Sequence, residues 1–301
     1  MARRTVHRYD LGMRVHLLDG TYELYRAHFG APPRTAPGGE AIGAVHGLMA
    51  STLRLLEQDG VTHLGVAFDS EVLSFRNDLY PGYKTEEGTP PELLAQFPWA
   101  ELALEAMGVV VWRMIDFEAD DALATAAYLY SDQAEQVVIL SPDKDMAQCV
   151  VGRSPICFDR RKAAFMDEQG VWDKFGVAPE SIPDYLGLMG DSSDGLPGLP
   201  GWGPKSSSTL LAEYGRIECI PLDAAEWKVK VRGAERLAES LREGRDDALL
   251  FRHLAVLRRD VPITETIEDL EWKGVPRARF LDFCNRWGFG SLRDRPHRWR
   301  T

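Results

Sequence analysis

Four short strand-like runs in the first half of the chain each deliver the backbone to a carboxylate, and few folds accommodate that arrangement. The runs are residues 14–18, 63–68, 109–112 and 137–140. They lead to Asp19, to Asp69, to Glu118, Asp120 and Asp121, and to Asp143 and Asp145. Segments with helical spacing, residues 22–28, 41–58, 93–107 and 122–129, separate them. Strand-like and helical stretches in alternation predict an α/β fold with a mainly parallel central sheet and helices on both faces. In such sheets ligands collect beyond the C-terminal ends of the strands, which is where these acids fall.

The densest group is Phe117-Glu118-Ala119-Asp120-Asp121, with three carboxylates in four residues at the start of a helical pattern. One or two acids there are explained by the helix dipole and its free N–H groups. Three are not, because like charges a few ångströms apart repel unless a cation or a proton compensates them. Asp143 and Asp145 stand two apart just past a strand, a spacing that aims both side chains the same way. Acids at every strand end therefore predict a divalent-metal site, although each aspartate alone also suits a turn or cap.

Composition sets limits on partners and location. The chain has 301 residues and a formal charge of −11, which argues against a protein that simply coats nucleic acid with basic residues. It does not argue against a metal-dependent nuclease, whose carboxylates are neutralised by cations. No apolar run reaches the ~20 residues of a membrane helix, and the basic residues 1–4 lack a following apolar segment, so a cytoplasmic location is expected. Met13 directly precedes the first strand-like run, and residues 1–12 read as an extension. Cys149, Cys157, Cys219 and Cys284 show no metal-ligand spacing and read as buried free thiols.

Further along, basic and aromatic residues interleave over residues 75–84, with Arg76, Tyr80, Tyr83 and Lys84 around Pro81 and Gly82. Such a mixture suits phosphate contact and base stacking, or a surface loop with snorkelling side chains. Residues 85–91 are polar and turn-rich. A β-hairpin is expected over residues 156–166 and a short helix over 170–175. Asp191 and Asp194 then lead into Gly198, Gly201, Gly203 and Lys205, followed by a helix to Glu213. Glycines let backbone amides approach a phosphate at a helix N-terminus, and Lys205 adds charge; a purely structural turn fits the same residues. Helices are expected at 234–243 and 248–256, and the tail carries Arg293, Arg295, Arg298 and Arg300.

From residue 15 to about 292 the order of these motifs resembles the 5′-nuclease family, the flap endonucleases and the 5′-to-3′ exonuclease domain of bacterial repair polymerases. The resemblance rests on Leu18-Asp19-Gly20, Phe68-Asp69, Phe75-Arg76, Tyr80-Pro81-Gly82-Tyr83-Lys84, Glu118-Ala119-Asp120-Asp121, Asp143-Lys144-Asp145, Gly190-Asp191-Ser192-Ser193-Asp194 and Gly201-Trp202-Gly203-Pro204-Lys205. It implies a PIN-like nuclease core over residues 13–182, with an arch segment near 75–95. A helical lobe with a helix-three-turn-helix element would follow over 183–301. It implies a two-metal phosphodiesterase whose Mg²⁺ or Mn²⁺ ions are held by Asp19, Asp69, Glu118, Asp120, Asp121, Asp143, Asp145, Asp191 and Asp194. Arg76 and Lys84 would contact the scissile phosphate beside Asp120, and Tyr83 would stack on an unpaired base. Gly198, Gly201, Gly203, Lys205 and Ser206 would grip duplex DNA, with a K⁺ ion on backbone carbonyls. DNA with 5′ ends, flaps or junctions is the implied partner, and no membrane is.

Three departures qualify the resemblance. Thr85-Glu86-Glu87-Gly88 stands where relatives carry a small residue and then arginine, which places negative charge where the family threads a DNA end. Gly195 stands where relatives usually have asparagine, and Ser141-Pro142 where they have Thr-Gly. No polymerase domain follows, so a free-standing bacterial member is expected. Rival readings are a DNA-structure-binding protein with weak or lost catalysis and an RNA-directed nuclease.

Overall fold

The computed structural model describes residues 12–58, 61–85 and 87–300. Its centre is a six-stranded sheet in the order β3-β2-β1-β4-β5-β6. The strands are β1 (Arg14–Asp19), β2 (His63–Asp69), β3 (Val110–Met114), β4 (Gln136–Leu140), β5 (Ile156–Asp159) and β6 (Ala164–Met166). Five run parallel, and β6 closes the edge as the antiparallel arm of the expected hairpin. Uninterrupted apolar runs such as Leu64, Val66, Ala67 and Phe68 are the mark of strands covered on both faces, and these are buried.

Alternate residues feed two cores. Val15, Leu17 and Ala67 pack with α6 (Ala119–Tyr130) and with the helices that follow residue 176. Leu18, Val66 and Phe68 pack with α1 (Gly20–Gly30), α2 (Gly43–Leu56) and α5 (Phe97–Ala106) on the other face. The expected helix over 93–107 is broken in two, α4 (Pro91–Leu94) and α5, because Pro98 begins a new helix at its second position. Residues 75–79 form the short helix α3 (Phe75–Leu79), capped by Ser74 and Asn77, where the sequence suggested a loop. Between Lys84 and Pro91 no helix stands among the described residues. Glu86 lies outside the described residues.

Beyond the sheet come α7 (Glu168–Phe175), α8 (Ile182–Met189), α9 (Pro204–Tyr214) and α10 (Ala234–Ala255). The two helices expected at 234–256 follow one another directly within α10, separated by the non-helical backbone of Gly244, where Leu199 Cδ2 lies 2.6 Å from the place of a side-chain Cβ. The expected lobe over 183–301 is not one unit. After α10 the chain returns to the nuclease-like core: Trp272 donates to the Met107 carbonyl at 3.0 Å. The final helix α11 (Arg277–Trp287) stacks Trp287 on Trp99 at 4.7 Å. Large aromatic surfaces in residues 272–292 explain the return, since only the α2 and α5 face offers them burial. Cys149, Cys157 and Cys284 are buried thiols as expected, but Cys219 is exposed. No helix among the described residues is long and apolar enough to cross a membrane.

Candidate metal centre

The strand order reverses between β1 and β4, and a cavity of about 600 Å³ opens at that point. Asp19, Asp69, Asp120, Asp143 and Asp194 line it, together with Lys84. Asp19 is the last residue of β1 and caps α1. Its Oδ1 accepts from the Tyr22 N–H at 2.8 Å and its Oδ2 from the Ser141 hydroxyl at 2.8 Å. Ser141, in the departure from the family pattern, is thus the group that orients Asp19. Asp69, the last residue of β2, accepts from the Ala119 N–H at the start of α6 at 2.8 Å. Asp143 accepts from the Asp145 N–H at 2.9 Å, which turns the backbone so that both carboxylates leave the same loop.

A second pole adjoins this cavity. Oxygens of Asp145, Asp191 and Asp194 lie within 4.8 Å of one another. Asp145 Oδ1 is buried and has no hydrogen-bond partner. A buried carboxylate oxygen left alone among like charges is costly, and a divalent cation with oxygen ligands is the group whose chemistry satisfies it. The residues present therefore fit a metal. Burial, followed by the Asp69 and Asp143 charges, pushes the Asp19 carboxyl up to about 7, against the hydrogen bonds from Tyr22 and Ser141. Burial and the charges of Asp191, Glu118 and Asp143, opposed by Lys84, likewise push Asp194 up to about 7. Asp120 and Asp145 are raised well above the usual carboxylate value by burial and by Asp143.

Lys84 belongs to the cavity. Its ammonium lies 3.2 Å from Glu118 Oε1, and its backbone N–H donates to the Asp194 carbonyl at 3.1 Å. That backbone bond brings residues 82–84 against Gly195, whose φ is +72° and whose missing Cβ would sit 2.1 Å from the Gly82 carbonyl oxygen. Glycine in place of asparagine at 195 is required by this contact.

Four expected roles are not what the structure shows. Arg76 is 1% exposed and lies beneath the site rather than in it. Its guanidinium bonds both Asp121 oxygens at 2.7 Å, Glu118 at 3.1 Å, and the Leu254 and Val256 carbonyls. Asp121 is fully buried, and it also accepts from the Glu118 and Arg258 N–H groups, so no lone pair faces the cavity. Tyr83, 3% exposed, donates its hydroxyl to Glu118 at 3.0 Å instead of presenting a ring for stacking. Glu118 accepts from Ser74, Arg76, Tyr83 and Lys84, and reaches the cavity only behind the lysine. The four are held to one another: Arg76 binds Asp121 and Glu118, and Tyr83 binds Glu118, so each is spent on a buried partner.

At the hairpin after α8, Gly198 and Gly201 have φ of +66° and +83°. Pro204 starts α9, and Ser206 closes its N-terminus by exchanging hydrogen bonds with Gly203 at 3.0 and 3.1 Å. Lys205 is exposed beside that N-terminus. Several cavity residues carried no signal strong enough to single out: Thr21, Tyr22 and Tyr25 on α1, Phe97 on α5, and Ser193. The i, i+4 spacing of Thr21 and Tyr25 right after Asp19 was the available hint. Lys144, between Asp143 and Asp145, also lines the cavity.

Residues 14–176 match the 5′-3′ exonuclease N-terminal resolvase-like domain, and residues 177–278 match the 5′-3′ exonuclease C-terminal SAM fold. DNA polymerase I of Bacillus caldotenax is 34% identical over 283 residues, which cover 92% of this chain and 31% of that protein. DNA polymerase I of Pseudomonas aeruginosa is 35% identical over 269 residues, covering 88% and 29%. The chain thus spans about a third of the length of the curated relatives it matches. Among solved structures, the zinc-bound T5 5′-exonuclease superposes with a TM-score of 0.65 at 16% identity, covering 80% of this chain and 89% of that one. Human GEN1 in complex with Holliday junction DNA gives 0.62 at 16% identity, covering 93% and 69%. At such identities the likeness is one of fold.

Proposed function

We infer a function from the premise that this chain belongs to the 5′-3′ exonuclease family, whose two domains it carries in order over residues 14–176 and 177–278. It is a structure-specific 5′ nuclease, a 5′-to-3′ exonuclease and flap endonuclease that hydrolyses DNA phosphodiesters and leaves 5′ phosphates. The observation that carries this reading is the convergence of Asp19, Asp69, Asp120, Asp143, Asp194 and Lys84 on one cavity at the strand-order reversal.

Asp19, Asp69, Asp120 and Asp143 form one pole and Asp145, Asp191 and Asp194 the other. These carboxylates would hold two ions, Mg²⁺ or Mn²⁺, which when bound would supply Lewis-acid chemistry for activating water and stabilising the leaving 3′ oxygen. Lys84 binds the scissile phosphate, its stem fixed by the backbone bond to Asp194. Glu118 holds that ammonium ready, and Arg76 and Asp121 position Glu118 from below. Gly198, Gly201, Gly203 and the N-terminus of α9 with Lys205 receive the duplex backbone, and the hairpin carbonyls would hold a K⁺ ion. The fold shared with a junction-bound nuclease supports DNA with 5′ ends, flaps or junctions as the partner. A cytoplasmic location goes with this reading.

The test is cleavage of a 5′-labelled flap duplex in Mg²⁺ and in Mn²⁺ by the parent and by Asp120→Asn, with an RNA flap in parallel. Junction cleavage by the parent alone supports the reading, and preference for the RNA flap overturns the substrate. Flap binding in Ca²⁺ without cleavage in either metal favours a DNA-structure-binding protein. The observation on that side is the exposed negative charge of Glu87, three residues after Lys84.

A further inference from the structure

Lys144 stands between Asp143 and Asp145, and its ammonium lies 2.6 Å from Asp191 Oδ1. Asp191 belongs to the pole in which three carboxylates come within 4.8 Å of one another. Carboxylates at that spacing need a positive charge among them, and here the chain provides its own. The compensation is incomplete. Asp191 Oδ1 also accepts from the Ser193 N–H and hydroxyl at 3.1 and 2.7 Å, whereas Asp145 Oδ1 is buried with no partner. One ammonium satisfies one carboxylate, while a divalent cation takes oxygens from several.

Lys144 also has somewhere to go. It lines the carboxylate cavity on one side and, on the other, a groove of about 490 Å³ walled by Gly190, Ser192, Gly195 and Pro197 at the glycine-rich hairpin. Its side chain is 29% exposed, so rotation into that groove needs no repacking of the core.

We propose that Lys144 is a displaceable internal counter-ion. It neutralises the Asp191 pole in the metal-free protein and swings into the hairpin groove when a divalent cation binds, where it contacts a phosphate of the bound DNA. This rests on the metal-nuclease reading above. Lys144 thereby weakens metal binding in the absence of DNA, and metal and DNA reinforce each other, because the ammonium released by one is a ligand for the other.

Titration calorimetry of the full chain with Mn²⁺ alone tests it, on the parent, Lys144→Met, Lys144→Gln and Lys144→Arg, each shown folded by circular dichroism. The two neutral variants are expected to bind Mn²⁺ about tenfold or more tightly at the weaker site, because a like charge a few ångströms from the ion is gone. Lys144→Arg stays near the parent. In a second readout, flap-duplex binding in Ca²⁺ against KCl, the neutral variants lose roughly one unit of the log–log salt slope. Unchanged or weaker Mn²⁺ affinity in both neutral variants overturns the proposal and leaves the metal-nuclease reading standing. Tighter Mn²⁺ binding with an unchanged slope overturns the phosphate contact. No binding heat in any of the four proteins overturns the metal-nuclease reading and this proposal together.

Discussion

Arg76 and Asp121 form a bidentate pair, Nη1 to Oδ2 and Nη2 to Oδ1, both at 2.7 Å, between groups that are almost wholly buried. The fork of a guanidinium on a carboxylate is the geometry in which a buried ion pair can offset its own desolvation, here with Glu118 and two backbone carbonyls taking the remaining donors. Arg76→Ala leaves the fully buried Asp121 without its counter-charge, while Glu118 keeps Lys84, and is expected to cost about 3–5 kcal/mol of stability. Urea unfolding followed by circular dichroism checks this. A variant of unchanged stability that has lost DNA binding would mean that Arg76 works as a phosphate ligand after all.

Asp120 is the one carboxylate of the helix-start cluster that lines the cavity directly. Asp120→Asn keeps the shape and removes the charge. On the proposed two-metal reading, in which Asp120 holds an ion, the loss of that charge is expected to slow cleavage about a hundredfold or more. Single-turnover rates on the flap duplex, at matched substrate occupancy, give the number. A rate within a few-fold of the parent would remove Asp120 from the chemistry.

The raised carboxyls give stability a definite pH slope in the metal-free protein. Asp19 and Asp194 titrate at about 7 when folded against an ordinary value of 3.8, so the folded state holds protons that the unfolded state has lost between those limits. Stability therefore falls as pH rises from about 4 to about 7 and levels off above. Divalent cation replaces those protons, so the gain in Tm on adding Mg²⁺ is expected to be larger at pH 8 than at pH 5. Thermal unfolding in EDTA and in Mg²⁺ at the two pH values decides it; an equal gain would mean that the cation binds elsewhere.

Gly195 couples the loop that carries Lys84 to the loop that carries Asp194. Substituting asparagine, the residue relatives usually have, adds a Cβ at φ +72° that meets the Gly82 carbonyl oxygen at 2.1 Å. Gly195→Asn is therefore expected to lose about 1–3 kcal/mol of stability and to slow cleavage by moving Lys84. Melting temperature and single-turnover rate measured together check it. A variant as stable and as fast as the parent would show that the 80–84 loop shifts freely.

Much of this architecture was legible in the chain. Runs such as 63–68 and 137–140 form strands because β-branched and apolar residues without polar interruption can only be buried on both faces. Asp19 ends its strand because an aspartate there caps the helix that follows, whereas the partner of Asp69, the Ala119 N–H fifty positions later, comes from the fold. The return of residues 267–300 to the sheet was not legible. Trp272, Phe280 and Trp287 declare only that they need burial, and which surface buries them is a matter of assembly. The arch segment misled for a related reason, since Arg76 and Tyr83 look the same in sequence whether they point to solvent or inward.

The sequence alone determined the strand-and-acid repeat and the place of the site at one end of a parallel sheet, because each of these is a local property of short segments; the set of nine carboxylates came from the family resemblance. Tertiary structure decided which carboxylates face the cavity. Asp120 and Asp121 are consecutive on a helix, so their side chains point about 100° apart, a consequence of 3.6 residues per turn. One of them reaches the cavity. The other meets Arg76, 45 positions earlier in the chain, and the Arg258 N–H, 137 positions later, partners that only the folded chain brings to it.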